Sequence, residues 1–271
     1  FNETYVFFNP KAGVNYRIND NQRTYFVAGI SNREPTRADI KDAIGNGDTI
    51  KAETMLDLEL GYQIQKSRWS FNVNGYAMLY KDQLTPSGDV SSSGYALMEN
   101  VDKSYRLGIE LVGGYQVCDW FKFDANLTLS TNKIINYMYT DFSDGVSDLD
   151  TIIANTNLAY SPDVVGAAIA TFTPVKNLKL QLIGKYVGSM YLDNTSRDIY
   201  KQNAYFLLNL KAGYTWNLRD NNKIEAQFIV NNILDNHYRL GAWCEDGYWG
   251  TAAADHYHVA GWYQQPGINC M

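Results

Sequence analysis

Strict alternation between apolar and polar side chains over residues 53–80 is the feature that most constrains how this chain can fold. One face of the first stretch carries Leu56, Leu58, Leu60, Tyr62 and Ile64, and the other carries Met55, Asp57, Glu59, Gly61 and Gln63. After a short turn at 66–68, the alternation resumes to residue 80. Because successive side chains of a β-strand point to opposite faces, this pattern predicts an antiparallel hairpin with one apolar and one polar face.

The length of these strands indicates a membrane protein. Each alternating stretch has about ten residues, whereas strands of soluble proteins usually have about five or six. About nine to eleven residues are needed to cross a bilayer at a tilt. The sequence therefore predicts an all-β fold, an antiparallel transmembrane β-barrel with lipid outside and water inside. A soluble all-β protein rich in tyrosine is the alternative.

The composition is compatible with such a barrel. No run of about 18 apolar residues is present, so the sequence predicts no transmembrane helix. The mean hydropathy of -0.33 fits strands of which half the side chains face water. The 21 Tyr, 11 Phe and 6 Trp suit aromatic girdles at two membrane interfaces. The net charge of -6 argues against nucleic acid as a partner.

Cysteine usage points to neither a metal site nor a disulfide framework. The three cysteines are Cys118, Cys244 and Cys270, and their spacing matches no metal motif. The sequence leaves two alternatives, a disulfide between Cys244 and Cys270 or three unbridged thiols.

The connections between alternating stretches follow a regular rhythm of short and long. About ten strands are predicted, joined by about five short turns that alternate with longer polar loops. The longer loops are predicted at 33–48, 81–94, 139–162, 193–203 and 235–261. Outer-membrane barrels have short turns on the periplasmic side and long loops outside, so this asymmetry favours that class over sandwiches and propellers.

Charged side chains fall on the predicted inner faces of the strands. The predicted lumen-facing set includes Asp57, Glu59, Arg106, Glu110 and Lys185. Such groups are unfavourable against lipid but hydrate or pair in a wet lumen. A lumen lined by so many charges is too wide for a barrel of about eight strands.

Five stretches together resemble the C-terminal part of a TonB-dependent outer-membrane transporter, particularly of the Bacteroidetes type. They are NPKAGVNYRI at 9–18, ISNREPTRADI at 30–40, YKDQLTPSGDVSSSGYALMENVDKSYRLGIEL at 80–111, VNNILDNHY at 230–238 and YQQPGIN at 263–269. The fourth resembles the family's penultimate-strand pattern, and the fifth resembles the lead-in to its closing strand. The five occur in family order over nearly the whole chain.

The resemblance implies that residues 1–271 form part of a single barrel domain. This part is the C-terminal portion of a larger plugged barrel of about 22 strands. An N-terminal plug, a Ton box and the first strands are then expected outside this chain, and the final strand is expected to be truncated at Met271. The implied function is import of a scarce nutrient, whether siderophore, haem, cobalamin, glycan or peptide, across the outer membrane of a Gram-negative bacterium.

The resemblance also implies partners. These are outer-membrane lipid, the TonB complex acting through the plug and Ton box, and the remainder of the barrel, with a surface lipoprotein as a candidate. Non-transporting barrels remain alternatives, namely an adhesin or autotransporter translocator or a porin-like protein. A soluble carbohydrate-binding β protein is a further alternative.

The aromatic loop at 235–261 and the residues after it are the predicted substrate-binding region. The candidate contacts are Trp243, Tyr248, Trp249, Tyr257 and Trp262, because aromatic rings on an outer loop can stack on a sugar or on the apolar face of a ligand. Packing within the loop and anchoring at the interface is the alternative. The pair His256 and His258 has the spacing to share one face of a strand and hold iron or haem, but the sequence offers no third ligand.

The sequence predicts neither catalysis nor a bound cofactor or metal. No GxSxG, HExxH or phosphate-binding loop is present. The acidic segment 141–150 has carboxylates around a glycine, but their spacing misses the helix-loop-helix calcium pattern, which favours a solvated loop. The protein is therefore expected not to be an enzyme.

Overall fold

One large antiparallel sheet dominates the fold. The computed structural model describes residues 4–45, 47, 49–91, 94–141, 149–219, 222–248 and 256–270, with the backbone alone at 140–141, 149–151, 245–248 and 256. Its main sheet is 12-stranded. The predicted all-β, antiparallel architecture is confirmed.

Ten long strands form this sheet in chain order, with two short strands added. The long strands are β1 (Lys11–Asn19), β2 (Gln22–Arg33), β3 (Glu53–Gln65), β4 (Trp69–Val90), β5 (Ala96–Cys118), β6 (Phe121–Ile134), β10 (Val164–Phe172), β11 (Leu178–Val187), β14 (Tyr205–Asn217) and β15 (Lys223–Asn231). The short strands are β9 (Thr156–Asn157), which pairs with β6, and β18 (Asn269–Cys270), which pairs with β15. Each long strand pairs with its neighbours in sequence, as expected of an up-and-down sheet.

The remaining elements lie in the longer connections. They are α1 (Arg37–Gly45), the hairpin β7 (Tyr137–Asp141) and β8 (Leu149–Ile153), the pair β12 (Met190–Tyr191) and β13 (Lys201–Gln202), a 3₁₀ turn (Asp198–Tyr200), and the hairpin β16 (Arg239–Tyr248) and β17 (His256–Gln264). No helix among the described residues is long and apolar enough to cross a membrane.

The two faces of the sheet separate polar from apolar side chains, as the alternation predicts. Leu60 is 62% exposed and Ile109 is 49% exposed on the outward face. On the opposite face, Tyr25 Oη donates a hydrogen bond of 3.1 Å to Asn74 Oδ1, and Asn74 Nδ2 lies 3.4 Å from Glu59 Oε2. The broad exposed apolar face is typical of strands that meet lipid.

Aromatic side chains gather where the outward face approaches the short turns. Phe121 stacks on Phe172 at a centroid distance of 4.7 Å, and Trp120 stacks on Phe172 at 6.3 Å. Tyr214 meets Trp216 edge to face at 4.7 Å. Rings with an apolar body and a polar tip are favoured at the level of lipid headgroups, so this belt is placed as a membrane-interface girdle.

The end of the sheet with the short turns and the end with the longer connections differ sharply. We call them the turn end and the loop end.

The predicted loop at 81–94 is wrong, because β4 and β5 continue as a paired hairpin with Thr85 opposite Glu99 and Pro86 opposite Met98. This extension is held by burial, since Leu84 is only 5% exposed and Val101 only 3% exposed.

The described residues of the predicted loops at 139–162 and 235–261 include paired strands, β7 with β8 and β16 with β17, which the sequence did not predict. The predicted loop at 33–48 contains α1. Its first turn is closed by a capping box, in which Thr36 N–H donates to Asp39 Oδ2 at 2.7 Å and Asp39 N–H donates to Thr36 Oγ1 at 3.2 Å.

The apolar cores lie at the loop end rather than within the sheet. One cluster contains Val101, Ile134, Tyr137 and Leu158, and a second contains Leu192, Tyr200, Ala242 and Cys244. We use the name cap for the assembly formed by the extended β4–β5 hairpin and the described residues within 135–163, 188–204 and 232–264. Gly88 of the β4–β5 hairpin lies very close to two other segments of the cap. A Cβ at this position would lie 2.5 Å from Cys244 Sγ and 2.9 Å from Asp193 Cβ, and its φ of +105° also favours glycine.

Candidate functional site

The cap is built around a buried asparagine that joins three chain segments. Asn194 is fully buried. Its amide nitrogen donates to Pro86 O at 2.9 Å and to Glu99 Oε1 at 2.5 Å, and its amide oxygen accepts from Ala159 N–H at 2.9 Å. Because a buried amide must have its donors and acceptor satisfied, Asn194 fixes the loop around it against the β4–β5 hairpin.

Glu99 is a largely buried carboxylate within this network. Burial raises the pKa of Glu99 to about 7, and the hydrogen bonds from Asn194 and Tyr137 oppose that shift. Tyr137 Oη donates to both carboxylate oxygens at 3.0 and 3.2 Å. Burial, and then the nearby Glu99, raise the pKa of Tyr137, so the phenol stays protonated as a donor. The cap therefore contains a group that titrates near neutral pH.

A second polar group surrounds Arg197. Its guanidinium lies over the rings of Tyr139 and Tyr200 at 4.9 and 4.8 Å, and it donates to Tyr139 Oη at 3.1 Å. Arg197 Nη2 lies 3.5 Å from Asp193 Oδ2. Burial raises the pKa of Asp193, while Thr195 and Arg197 oppose the shift. These contacts hold Arg197 in a structural role within the cap.

A cavity of about 280 Å³ opens beside this network. It lies where the chain enters β14 and where the β16–β17 hairpin leaves the sheet. Its lining consists of Lys201, Gln202, Asn203, Ala204, Tyr205, His237, Tyr238, Arg239, Trp262 and Gln264. Cationic and amide side chains thus meet aromatic rings in one concave site, which is the usual composition of a small-molecule pocket.

The structure separates the predicted aromatic contacts. Trp262 lies opposite Ala242 on the packed face of the β16–β17 hairpin and lines the cavity. Trp243 lies opposite Gly261 on the other face, and Tyr257 shares that face through its pairing with Gly247. The predicted set is therefore not one cluster. The side chain of Tyr248 and all of Trp249 lie outside the described residues.

The predicted lumen-facing residues fall on the polar face of the sheet. Through the strand register, Glu59 lies opposite Tyr76, Asp57 and Arg106 both lie opposite Met78, and Glu110 lies opposite Asn74. Lys185 lies opposite Ala167, and Ala167 lies opposite Asn126 on the polar face. Because residues directly opposite each other share a face, Lys185 lies on the polar face as well. Arg106 Nη1 donates to Ser161 Oγ at 2.9 Å and Asn132 Oδ1 at 3.2 Å.

Most residues of the cavity were not singled out by the sequence. Lys201, His237 and Arg239 come from two segments that are far from Trp262 in the chain, and only strand pairing brings them together. A signal was nevertheless present, because Lys201 and Arg239 each lie close in sequence to a tyrosine, namely Tyr205 and Tyr238.

The structure also bears on the predictions for cysteines and metal ligands. None of Cys118, Cys244 and Cys270 forms a disulfide bond, so Cys244 and Cys270 are not bridged. Across the described part of the chain, no group of three or more His, Cys, Asp or Glu residues is arranged to hold a metal ion. His258 instead meets Tyr200 edge to face at 6.4 Å, and the side chain of His256 and the acidic segment 142–148 lie outside the described residues.

Comparison with known proteins identifies close likeness in fold. The family described as TonB dependent receptor-like, beta-barrel matches residues 1–233. The siderophore receptor PiuA from Acinetobacter baumannii has a TM-score of 0.64 at 16% identity, over 96% of this chain and 34% of that chain. The copper transporter OprC has a TM-score of 0.67 at 17% identity, over 96% of this chain and 38% of that chain.

The ferric yersiniabactin uptake receptor FyuA from Yersinia pestis gives a similar result. Its TM-score is 0.62 at 16% identity, over 96% of this chain and 35% of that chain. The chain thus spans about a third of the length of these structures. No curated protein matches the chain.

Proposed function

The chain belongs to the TonB-dependent receptor-like β-barrel family, and from this premise we propose that it forms part of the wall and the outer receptor surface of an energy-coupled nutrient transporter. The family confirms the predicted transmembrane β-barrel fold and the outer membrane of a Gram-negative bacterium as the location. The proposal extends this to import of a scarce nutrient with energy delivered through TonB.

One observation carries the proposal, namely the difference between the two ends of the sheet. The turn end has only short connections, whereas the loop end bears a folded cap with its own apolar cores. A receptor needs an ordered assembly of this kind, because binding residues must be held in place by surrounding structure. The cavity, which is lined mostly by residues of the cap, supports this assignment.

The polar face supports the presence of a plug inside the barrel. Asp57 Oδ1 and Asn72 Oδ1 are shielded from solvent and have no hydrogen-bond partner among the described residues. Both lie on the polar face, with Asn72 opposite Gln63 and Val112. Both atoms are covered by this chain's own atoms, so the support for a further polypeptide comes from the polar character of the face, which suits a wet lumen or a plug rather than lipid. Such a plug, with its Ton box, is the proposed route of coupling to the TonB complex.

The outermost strand supports a larger barrel. All nine residues of β1 are exposed, and among the described strands β1 pairs only with β2. An unpaired strand edge is unfavourable in lipid because its backbone groups cannot reach water. We infer that further strands of the same barrel pair with β1. A Bacteroidetes-type receptor and a surface lipoprotein partner remain part of the proposal.

The ligand is proposed to be a scarce, bulky nutrient. Siderophore, haem, cobalamin, glycan and peptide are the candidate classes. The similar structures are a siderophore receptor, a ferric yersiniabactin receptor and a copper transporter, which makes metal-bearing small ligands the first to screen.

Uptake by living cells tests the proposed function. Labelled candidate ligands are supplied to cells that carry the full-length gene and to a deletion strain, with and without a protonophore. We expect uptake that requires both the gene and the inner-membrane proton gradient. Gene-dependent passage that survives the protonophore would instead support a porin-like channel. Export of a passenger domain to the surface, without uptake, would support an autotransporter.

A further inference from the structure

Three lysines mark the edge of the apolar band on the outward face of the sheet. We propose that Lys81, Lys103 and Lys133 bind the phosphate headgroup of an anionic lipid, whose acyl chains lie in an apolar groove on the same face. This inference goes beyond the proposed function, because it rests on the fold and the membrane location and does not depend on import. We call these three lysines the cationic patch, and four features of the described residues carry the inference.

The clustering of the lysines is the first feature. Lys81 of β4 lies directly opposite Lys103 of β5. Lys133 of β6 lies opposite Tyr105, which is two residues from Lys103 on the same face. Elsewhere on the outward face, the paired residues that the structure describes in the ten long strands, from the short turns up to this level, carry no charge. The outward charges of the sheet are therefore gathered in one place and have one sign.

The lack of a balancing carboxylate is the second feature. Among the described residues, none of the three lysines has a carboxylate within ion-pair distance. Asp82 and Asp102 adjoin the patch in sequence, but Asp82 pairs with Lys51 at 3.5 Å and Asp102 is exposed to solvent. Lys133 Nζ donates to the neutral amide of Asn157 at 2.6 Å. Like charges directly opposite each other on paired strands are unfavourable, so the facing lysines of β4 and β5 favour an anion between them.

The depth of the patch in the membrane is the third feature. Lys81 follows Trp69, the first residue of β4 at the turn end, by 12 residues. At about 3.4 Å per residue and a tilt of about 40°, this length of strand spans about 30 Å of membrane. The apolar band of such barrels is about 25 Å tall. Lys81 and Lys103 therefore lie just beyond the band at the loop end, at the level of lipid headgroups, where lysine attracts phosphate.

An apolar groove of about 630 Å³ on the same face is the fourth feature. Gly75 and Ala77 of β4 form its floor, because each lies between larger side chains of the two neighbouring strands. Its walls include two pairs of aliphatic residues, one pair on β3 and one on β5, namely Leu58, Leu60, Leu107 and Ile109. A groove lined in this way within the apolar band suits acyl chains.

The groove and the patch are spaced as the two parts of a lipid are. Thr131 lines the groove and Lys133 follows it by two residues, while Leu107 lines the groove and Lys103 precedes it by four. At about 3.4 Å per residue, the lysines lie roughly 7–14 Å beyond the groove along the strands. Headgroups follow acyl chains in the same order from the middle of a bilayer outward. A free phosphate ion would contact only the lysines, whereas one lipid molecule occupies both parts.

Native mass spectrometry of the full-length protein, released from detergent, tests the proposal. Phosphatidic acid and phosphatidylcholine with the same two acyl chains are added in equal amounts. We expect at least about tenfold more bound phosphatidic acid, because each lysine near a headgroup favours an anionic lipid. Inorganic phosphate in excess is expected not to displace it, which separates a lipid site from a site for a free anion. These comparisons use the unaltered protein, so they do not depend on any variant folding correctly.

Substitutions then locate the site. Lys81→Gln combined with Lys103→Gln should remove most of the preference for phosphatidic acid. The matched control is Lys179→Gln combined with Lys223→Gln, which removes the same charge from exposed positions on the polar face and should keep the preference. Ala77→Leu fills the floor of the groove with an apolar side chain, and it should lower the bound fraction of phosphatidic acid several-fold.

Three results would overturn the proposal. Equal binding of the two lipids would show that the patch does not recognise the phosphate headgroup. Displacement of the lipid by inorganic phosphate would show a site for a free anion. An unchanged preference in the variant that lacks both Lys81 and Lys103 would place the bound lipid elsewhere on the barrel.

Discussion

The side-chain amide of Asn194 donates a hydrogen bond of 2.5 Å to the carboxylate of Glu99, a residue 95 positions earlier in the chain. This contact joins the loop between β12 and β13 to the extended part of β5. Because Asn194 also bonds Pro86 O and Ala159 N–H, the state of Glu99 affects how all three segments pack. The packing of the cap thus depends on the largely buried carboxylate of Glu99.

Stability of the cap is therefore expected to depend on pH. Burial raises the pKa of Glu99 from 4.5 to about 7. Glu99 therefore binds a proton more tightly in the folded cap than in the opened cap. The free energy that favours the folded cap is greatest below about pH 4.5 and falls as the pH rises through about 7. The full effect is about 3 kcal/mol. Hydrogen exchange of the Ala159 amide, corrected for its intrinsic rate, should show less protection at pH 8 than at pH 5.5.

The variant Glu99→Gln provides the control for this prediction. Its amide oxygen can still accept from Asn194 and Tyr137, but it carries no charge at any pH. The difference in Ala159 protection between pH 5.5 and pH 8 should nearly vanish in Glu99→Gln. An equal difference in both proteins would assign the pH dependence to another group, of which Asp193 is the first to examine because burial also raises its pKa.

A close approach on the polar face gives a second prediction. The ring of Tyr25 occupies the space where a Cβ on Gly61 would lie, and Tyr25 Oη donates to Asn74 Oδ1 at 3.1 Å. Gly61→Ala should displace the ring and break this bond, lowering barrel stability by about 1–3 kcal/mol. The readout is the temperature at which the folded band on a gel converts to the unfolded band.

Gly75→Ala is the matched control for Gly61→Ala. Gly75 lies on the outward face of the adjacent strand, where a Cβ would meet only Leu60 O at 3.9 Å. We expect its conversion temperature to stay close to that of the unaltered protein. If both variants convert at the same lowered temperature, glycine flexibility rather than the Tyr25 contact is responsible.

The two faces of β3 give a third prediction. Leu58 lies opposite Ala28 and Ala77 on the outward face, and its neighbour Glu59 lies on the polar face. An arginine near the middle of the membrane on the lipid side destabilises a barrel by about 2–4 kcal/mol. Leu58→Arg should therefore lower the stability by this amount, while Glu59→Arg should change it by less than about 1 kcal/mol. Equal losses in urea unfolding of the two variants would contradict the assigned faces.

The faces of the strands were predictable because a period of two residues leaves only one choice of face once register is set. The extent of β4 and β5 was not predictable by the same reasoning. Pro86 lacks an N–H and the serines at 91–93 favour turns, so the local sequence indicated a loop. In the structure Pro86 lies opposite Met98 and its carbonyl accepts from Asn194, so a contact from a distant loop supports the extended part of the strands.

The candidate site was harder to predict than the fold for a related reason. Five aromatic residues near one hairpin suggested a single binding surface, but the register places Trp262 opposite Ala242 and Trp243 opposite Gly261, on different faces. The cavity combines three segments that meet only after the cap has folded. Periodicity within one strand carries no information about such a meeting, so Arg239 was not recognised from the sequence alone.

Sidedness of the sheet is the fourth prediction, because the proposed receptor requires the cap to lie outside the cell. Ser67→Cys places a thiol in the exposed turn 66–68, and Asp198→Cys places one in the cap, where the Asp198 side chain is 87% exposed. Both variants are made in full-length protein in which Cys118, Cys244 and Cys270 are replaced by serine. A maleimide reagent that does not cross the outer membrane should label Asp198→Cys in intact cells and leave Ser67→Cys unlabelled, and lysis should expose Ser67→Cys. The reverse pattern would place the cap in the periplasm, where a receptor surface could not meet a nutrient outside the cell.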